Sequence, residues 1–473
     1  MCIEKNGILP KKSALIITLG CRVNHYESEA FAEQLRASGY RVALSENGEL
    51  TGFDTVIVNT CSVTATSDRK SRQLVHRAHR NNPGARLYVT GCSAQNKPGD
   101  YTDIPGVSAV IGNRNKLDTV RLAVTGRTEA KPLGTDLNGA AFESMNISSF
   151  GRLRSYIKIE DGCESNCAYC IIPALRGGIR CKAPEDVLRE AEALVRGGSP
   201  EIVLTGIELS AYSYGLGELI ARVDRISGIR RIRLGSLDPA FISPAFVDTY
   251  AACEHTMPHF HLSLQSGCDR TLASMRRKYN TSQVIEKIKY MKEKIPSLRL
   301  SADVICGFPG ESDSDFEQTR RFFAEVDFFY LHIFPYSRRE GTEAASMLGQ
   351  IPPRIAKERA ASLARDSRMR QAATVEELAR SGRRVRILIE RAEADGEHLT
   401  LSGHTEEFFD AQVRLSVGEA AALLPDIACG PAPELSVMND CNSDKKRISD
   451  ILRGTELDAR IASYSDGRVT AVL

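Results

Sequence analysis

The sequence predicts an α/β protein of three units: a doubly wound parallel sheet, an incomplete (β/α) barrel and a small antiparallel β-barrel. Short apolar runs alternate with helical patterns over most of the chain, which is typical of parallel sheets. The last part of the chain instead alternates polar and apolar residues around glycine turns, as antiparallel hairpins do. A length of 473 residues fits about three domains of roughly 150 residues each.

The composition indicates an ordinary globular chain with reduced cysteines. Hydrophobic residues make up 42% and charged residues 26% of the sequence, and the net charge is only +2. A nucleic-acid partner would therefore have to be held by a local basic face. Thirteen cysteines, an odd number spread over a long chain, do not form a disulfide scaffold. We find neither a signal-peptide pattern nor a run of about 18 apolar residues, so we expect a cytoplasmic protein without a membrane span.

The first unit, 1–130, carries the pattern of the parallel sheet. Apolar runs predict strands at 14–18, 55–59 and 86–90, with helical patterns at 27–38 and 67–81. Because helical stretches lie between these strands, the strands are expected to run parallel.

A cysteine follows each of these predicted strands almost at once: Cys21, Cys61 and Cys92. Ligands bind at the carboxyl ends of the strands in such sheets, so three residues distant in sequence can converge on one edge. This arrangement suits an iron–sulfur site held by three thiolates. The alternative is three buried free cysteines, since cysteine is among the most often buried residue types.

The second unit, 148–378, is predicted to be the incomplete barrel. A linker at 128–146 precedes strand-like runs at 154–160, 201–205, 231–235, 259–263, 299–304 and 328–334, and helical patterns separate several of them. Barrel enzymes place their active sites at the C-terminal ends of the strands. The polar residues predicted there form one set: Gly206, Glu208, Ser236, Asp238 and Gln265.

The loop after the first strand of this barrel carries Cys163, Cys167 and Cys170 at CxxxCxxC spacing. A 4Fe–4S cluster normally takes four cysteine thiolates, so three local ligands suggest a cluster with one iron open to another molecule. A structural zinc site would need a closed set of four ligands. A disulfide pair with a spare cysteine would need an oxidising compartment.

The third unit, 379–473, is predicted to be the antiparallel barrel. Strands are expected at 385–390 and 399–404, and a second hairpin at 457–462 and 468–472. Between the hairpins, the segment 417–448 is interpreted as an insertion, and it carries a short basic segment at 445–447.

Several motifs, in order along the chain, resemble the radical S-adenosylmethionine (SAM) methylthiotransferases. The segments TLGCRVNHYESE (18–29), NTCSVT (59–64) and GC (91–92) are similar to the N-terminal motifs of that family. The cysteine loop, with Tyr169 before its last cysteine, is similar to the cluster loop of the radical SAM superfamily. Single motifs of this kind are weak evidence, but their order and spacing together are specific.

This resemblance implies two 4Fe–4S clusters and SAM as cofactors. The cluster that reductively cleaves SAM to a 5′-deoxyadenosyl radical would be held by Cys163, Cys167 and Cys170. A radical is needed because an unactivated C–H bond has no acidic proton that a general base could remove. A cluster on Cys21, Cys61 and Cys92 would supply sulfur, and a second SAM the methyl group. The residues implied to contact SAM are Tyr169, Gly206, Glu208, Ser236, Asp238 and Gln265.

The resemblance also implies RNA binding. The segment GHTEEFF (403–409) is similar to part of the TRAM domain, an RNA-binding barrel, and 332–342 resembles the family segment before that domain. Tyr336, Arg338, Arg339 and Arg384 are therefore expected to reach RNA by stacking or phosphate contact. The alternatives are an ordinary exposed loop and a purely structural barrel.

The substrate implied is N6-threonylcarbamoyladenosine beside the anticodon of tRNA, methylthiolated at C2. The expected partners are the tRNA anticodon stem-loop and a reducing protein such as flavodoxin or ferredoxin. Two rival substrates are isopentenyladenosine in tRNA and an aspartate of a ribosomal protein. A rival of another class is a non-catalytic iron–sulfur RNA-binding protein, which would leave SAM intact under reductant.

Overall fold

The first unit folds around a parallel sheet whose inner strands β1 and β3 are buried on both faces. The computed structural model describes residues 12–395, 398–423, 451–465 and 467–473. The strands are β1 (Ser13–Thr18), β2 (Arg41–Ser45), β3 (Thr55–Thr60), β4 (Arg86–Gly91) and β5 (Val107–Ile111), in the order β2-β1-β3-β4-β5. The helices are α1 (Arg22–Ala37), α2 (Ala65–Asn81), α3 (Cys92–Asn96), α4 (Gly99–Thr102) and α5 (Asp118–Thr125).

Two details of the first unit differ from the sequence-based prediction. The first helix begins at Arg22, directly after Cys21, and not at residue 27. The strands β2 and β5 at the two edges of the sheet were not predicted. Strand β2 is only half-buried and has no continuous apolar run, unlike the fully buried β1 and β3.

The second unit is an open barrel of parallel strands. Its strands are β6 (Arg154–Lys158), β7 (Glu160–Asp161), β8 (Arg180–Cys181), β9 (Glu201–Thr205), β10 (Arg231–Leu234), β11 (His259–Gln265), β12 (Arg299–Cys306) and β13 (Tyr330–Pro335). Two parallel sheets, β10-β9-β6 and β11-β12-β13, are joined by a parallel bridge between Leu237 and Leu262. The short strands β7 and β8 form a separate antiparallel pair above β6.

Helices cover the outside of this barrel. They are α6 (Ile172–Arg176), α7 (Pro184–Arg196), α8 (Leu216–Val223), α9 (Pro244–Ala252), α10 (Asp269–Ser274), α11 (Thr281–Lys294) and α12 (Asp313–Glu325), followed by the long α13 (Pro353–Arg380). One hydrophobic core runs from the barrel into the face of the first sheet that carries Ala14 and Ile16, so the two units pack as one body.

The third unit is a closed barrel among the described residues. Its strands are β14 (Arg384–Asp395), β15 (His398–Thr405), β16 (Asp410–Ser416), β17 (Glu456–Ser465) and β18 (Arg468–Val472), and α14 (Val417–Ala422) follows β16. The pair β16–β18 is parallel, whereas the other pairs are antiparallel. A ring of five strands cannot alternate direction all the way round, so one pair must be parallel. The predicted insertion lies outside the described residues from 424 onward, including its short basic segment.

Two arginines attach the third unit to the starts of the central strands. Arg231 donates to the backbone oxygens of His404 and Arg386 at 3.1 and 3.0 Å, and it pairs with Glu456. Arg233 donates to the backbone oxygen of Thr405 at 2.7 Å. Both guanidinium groups are buried, so the small barrel caps the end of the central barrel opposite the ends that carry the cysteine loop. Among the described residues, no helix is long and apolar enough to cross a membrane.

Candidate active site

The cysteine loop lies beyond β7, at the C-terminal ends of the central strands. Gly162 enters it with φ +100°, and a Cβ there would lie 2.0 Å from the carbonyl oxygen of Gly178. Only glycine tolerates both the backbone angle and the close approach. Within the loop, Ser165 donates its backbone N–H to the Cys163 sulfur at 3.4 Å. The loop is thus fixed by its own backbone geometry.

Two thiols of this loop, Cys163 and Cys170, have raised pKa values. Burial raises the pKa of Cys163, and it raises that of Cys170 to about 12, with a further contribution from the neighbouring cysteines. A cation at the loop would reverse this preference, because metal coordination deprotonates a thiol. The donor set therefore fits a positively charged metal centre.

Arg277 is a member of this site that sequence reasoning missed. Its guanidinium donates to the Cys167 sulfur at 3.1 Å and to the Asp238 carboxylate at 2.8 Å. It connects the cysteine loop to the predicted SAM-contacting residues. Its neighbour Arg276 is exposed and pairs with Glu343, and the sequence holds no signal that separates the two arginines.

The predicted SAM-contacting residues lie around the loop at adjacent strand ends. The Ser165 hydroxyl donates to Glu208 at 3.5 Å, and the backbone N–H of Asp238 donates to Ser210 at 2.8 Å. Gln265 ends β11 with a positive φ of 73°. Ser236 is exposed at the end of β10, Gly206 follows β9, and Tyr169 is half-buried within the loop.

Glu160 is a buried carboxylic acid beneath these residues. One of its oxygens accepts the backbone N–H of Glu208 at 2.7 Å, and the other has no partner among the described residues. Burial, assisted by the carboxylates of Asp161 and Glu208, raises the pKa of Glu160 to about 8. A Cβ on Gly206 would lie 2.7 Å from the Glu160 carboxylate, so glycine is required where the two strands meet.

Glu160→Gln is expected to stabilise the metal-free protein at alkaline pH. The folded-state pKa of Glu160 lies above its unfolded value, so the folded state binds the proton more tightly and wild-type stability falls as pH rises from about 5 through 8. The maximum slope is about 1.4 kcal/mol per pH unit. The difference in melting temperature between the variant and the wild type should therefore grow from pH 6 to pH 8.5. A difference that stays constant over this range would show that Glu160 ionises normally.

The other three cysteines lie at the ends of adjacent strands of the first sheet. Cys21 is exposed before α1, whereas Cys61 and Cys92 are buried after β3 and β4. A Cβ on Gly20 would lie 3.1 Å from the Cys61 Cβ, which places the first two strand ends in contact. Burial and the nearby Cys92 raise the pKa of Cys61 to about 11. The structure thus brings together three residues that are distant in sequence.

Arg176 links the two cysteine sites. It lies fully buried at the end of α6, donates from Nε to the Cys92 sulfur at 3.3 Å and donates from Nη1 to Glu27 at 2.8 Å. A further hydrogen bond reaches Asn24 at 3.0 Å, and another reaches Asp161 at 3.3 Å. No sequence pattern indicated this contact.

Arg176 belongs to a buried network with an excess of cations. Glu27 also pairs with two lysines, and burial opposes its ionisation, yet these three cations hold the pKa of Glu27 well below its usual range. The cations of the network are Lys116, Lys158, Arg176 and Arg180, and its carboxylates are Glu27 and Asp161. Because burying unpaired charge is costly, the excess positive charge beside Cys92 fits an anionic group at that site.

The ligands of a single metal ion and the ligands of an iron–sulfur cluster are arranged differently. No three His, Cys, Asp or Glu side chains in the part of the chain that is described are placed to hold one metal ion. In an iron–sulfur cluster each thiolate binds a different iron, so its ligands surround a larger body. Three cysteines that held such a cluster would therefore not converge on a single point.

The residues predicted to contact RNA differ in how exposed they are in the structure. Arg339 is buried, pairs with Asp68 at 2.7 Å and donates to the Ser62 hydroxyl at 2.9 Å. This contradicts the expectation that Arg339 reaches RNA, because its guanidinium holds the central barrel against the first unit. Arg338 is exposed, and Arg384 is exposed in a 3.0 Å ion pair with Asp458.

Tyr336 is half-buried and packs edge-to-face on Phe308, with ring centroids 5.7 Å apart. Its hydroxyl has no hydrogen-bond partner among the described residues. In this position the ring supports the underside of the cysteine loop, since Ala168 belongs to the same hydrophobic cluster. The structure does not present Tyr336 as an open stacking surface for RNA.

Family comparisons agree with this architecture. The sequence matches the Radical SAM superfamily over residues 157–323 and the uncharacterized protein family UPF0004 over residues 13–112. The structure resembles that of the radical SAM methyltransferase TsrM from Kitasatospora setae, with a TM-score of 0.53 and 14% identity over 71% of this chain and 77% of that chain. That likeness concerns the fold alone, and it confirms the predicted α/β class. The fold and the cysteine loop define a radical SAM enzyme.

Curated relatives narrow the class further. A Bacillus subtilis protein named threonylcarbamoyladenosine tRNA methylthiotransferase MtaB is 38% identical over 72% of this chain and 77% of the relative. A Desulfitobacterium hafniense protein named tRNA-2-methylthio-N(6)-dimethylallyladenosine synthase is 30% identical over 92% of this chain and 99% of the relative. The chain belongs to the radical SAM methylthiotransferase family. Membership implies a 4Fe–4S cluster and SAM, and it confirms the resemblance found in the sequence.

Proposed function

We propose that this enzyme adds a methylthio group to C2 of N6-threonylcarbamoyladenosine next to the anticodon of tRNA. The observation that carries the proposal is the pair of three-cysteine sites joined through Arg176. A methylthiotransferase must activate a C–H bond and also deliver sulfur, and two separate metal-binding sites suit two separate tasks. Relatives named for threonylcarbamoyladenosine reach 38% identity, and those named for dimethylallyladenosine reach 33%.

In this proposal, Cys163, Cys167 and Cys170 hold a 4Fe–4S cluster beside SAM. Cys21, Cys61 and Cys92 hold a second cluster. When bound, these groups supply the radical, sulfur and methyl chemistry that no side chain of the protein provides. The protein's own contribution is to position them and to keep water from the reacting centre.

Several residues have defined tasks around the first site. Arg277 donates to the Cys167 sulfur and holds the Asp238 carboxylate, which fixes the loop against the end of β10. Hydrogen bonds to a ligating sulfur tune the potential of a cluster. Gly206, Glu208, Ser236 and Gln265 are the proposed contacts for the polar groups of SAM.

RNA contact is assigned to exposed basic groups. Arg338 lies beside the cysteine loop, and Arg384 lies on the third barrel, where each is accessible to a phosphate. A small cytoplasmic electron carrier of the flavodoxin or ferredoxin kind is the proposed reductant, because reductive cleavage of SAM consumes an electron.

The substrate proposal is tested by mass spectrometry of nucleosides. Reconstituted enzyme, SAM and a reductant are incubated with tRNA that carries threonylcarbamoyladenosine or dimethylallyladenosine, each lacking the methylthio group. A methylthio gain on threonylcarbamoyladenosine alone is expected. A gain on dimethylallyladenosine alone would overturn the substrate and leave the reaction class intact.

A further inference from the structure

A cleft runs along the open side of the central barrel, from the third barrel towards the end of β10. Its volume is about 820 Å³, and it lies between strands β11 to β13, the start of α1 and the third barrel. Arg22 lies at its inner end, directly after Cys21, and donates to the backbone oxygen of Leu234 at 3.4 Å. Ser236 also lines the cleft. One end of the cleft therefore touches both the second cysteine site and the predicted SAM contacts.

The wall formed by β11 and β12 is unusually polar for the inside of a barrel. The Ser301 hydroxyl, 4% exposed, lies 2.8 Å from His261 Nδ1 and 2.9 Å from His259 Nε2. The other nitrogen of His261 lies 3.2 Å from the Asp303 carboxylate. Small-molecule sites fix orientation with a few placed polar groups of this kind.

The adjoining strand β13 continues this wall with exposed aromatic side chains. Tyr330, His332 and Phe334 alternate along β13, so their side chains share one face of the strand. Tyr330 and Phe334 are 43% and 45% exposed, and the His332 ring lies 5.0 Å from that of His261. Exposed aromatic side chains next to polar groups are typical of sites that stack an unpaired RNA base.

The charges in the cleft favour an anion. Asp303 is engaged by His261, and Asp410 by Arg468 at 3.2 Å. Arg22 and Arg368 form no ion pair within the described residues. The two arginines of the cleft thus have no carboxylate partner in the described part of the chain, whereas both of its carboxylates, Asp303 and Asp410, have one.

We propose that this cleft is the specificity pocket for the N6-threonylcarbamoyl group of the target adenosine. The base lies against Phe334, and the carboxylate of the substituent meets Arg22. The carbonyl and hydroxyl groups of the substituent meet His332 and the Ser301–His261 pair. The inference rests on the proposed function and deepens it by naming the residues that recognise the substituent.

The same pocket would reject a dimethylallyl group. An apolar substituent would remove water from Arg22, Ser301 and the histidines without replacing their hydrogen bonds. Sites built to hydrogen-bond a substrate discriminate strongly against analogues that lack the partner group, whereas apolar pockets discriminate weakly. The hydrogen-bonding groups of the cleft therefore favour the threonylcarbamoyl substrate over the dimethylallyl substrate, and this argument does not depend on the percentage of identity to either kind of relative.

The test is equilibrium binding of anticodon stem-loop RNAs to the reconstituted full chain. Three RNAs of one sequence carry threonylcarbamoyladenosine, dimethylallyladenosine or plain adenosine at the target position. The wild type should bind the first at least about tenfold more tightly than the other two, the effect of one charge-assisted hydrogen bond or more. Equal binding of all three RNAs would overturn the inference.

Two variants locate the preference in the cleft. Arg22→Gln and His332→Ala should each bring the affinity for the threonylcarbamoyl RNA close to that for plain adenosine, with the latter unchanged. His332 is exposed, so its replacement leaves the fold intact even if Arg22→Gln disturbs the neighbouring cysteine site. Equal losses on all RNAs would mean that these side chains contact phosphate only, and this would contradict the proposal. The exposed Arg338→Gln variant is the matched control, since it should weaken all three RNAs equally.

Binding and product formation are read separately. A wild type that prefers the threonylcarbamoyl RNA but methylthiolates another nucleoside would overturn the proposed function and support the recognition site. A wild type that methylthiolates threonylcarbamoyladenosine without any preference in binding would do the reverse.

Discussion

Arg176→Met is expected to destabilise the metal-free protein by about 1–3 kcal/mol, the cost of leaving a buried hydrogen-bonding group without its partner. Asn24 and Asp161 would each lose a buried donor that methionine could not replace, whereas Glu27 would keep its two lysines. Chemical denaturation monitored by circular dichroism gives the free energy of unfolding.

The matched control for this prediction is Arg189→Met. Arg189 is exposed on α7 and, among the described residues, pairs only with Asp186, one helical turn away, so its removal should leave stability unchanged within error. Equal stability of the wild type and Arg176→Met would mean that the network around Glu27 does not hold the first two units together.

Cys61→Ala is expected to separate the two halves of the proposed chemistry. The variant should retain about four irons in place of about eight, at four per cluster. It should still cleave SAM under reductant, because Cys163, Cys167 and Cys170 are untouched, but it should form no methylthio product. Iron analysis, 5′-deoxyadenosine formation and nucleoside mass spectrometry measure the three quantities on one preparation.

Cys253→Ala provides the comparison for the loss of a thiol. Cys253 lies outside both sites, and its sulfur donates to the backbone oxygen of Thr249 at 3.3 Å. This variant should keep the full iron content and full activity. If Cys61→Ala also kept both, Cys61 would not be a cluster ligand.

Local pattern was sufficient to predict the fold class, whereas the assignment of the two sets of cysteines to clusters stays a prediction. The cysteines follow apolar strands directly, and the topology of a parallel sheet places strand ends together whatever their distance in sequence. The same reasoning missed β2, because an edge strand with half-exposed residues lacks the continuous apolar run of a buried one. It also began α1 too late, since its first turn shows little apolar periodicity.

Contacts between units were beyond the reach of local pattern. Arg176 meets Glu27 across 149 positions, and Arg339 meets Ser62 across 277. Arg339 lies in a polar stretch that is typical of a solvated surface or an RNA-binding loop, and Arg176 follows a short apolar run at 171–175 that gives no sign of its partners. Only the packing of one unit on another shows that they are buried. The specificity cleft is hidden for the same reason, because its walls come from all three units.

The most direct test of the account is the iron and sulfide content of the wild-type chain after anaerobic reconstitution. Two clusters predict about eight irons and about eight sulfides per chain, at four of each per cluster. About four of each would contradict the cluster on Cys21, Cys61 and Cys92 and with it the proposed source of sulfur.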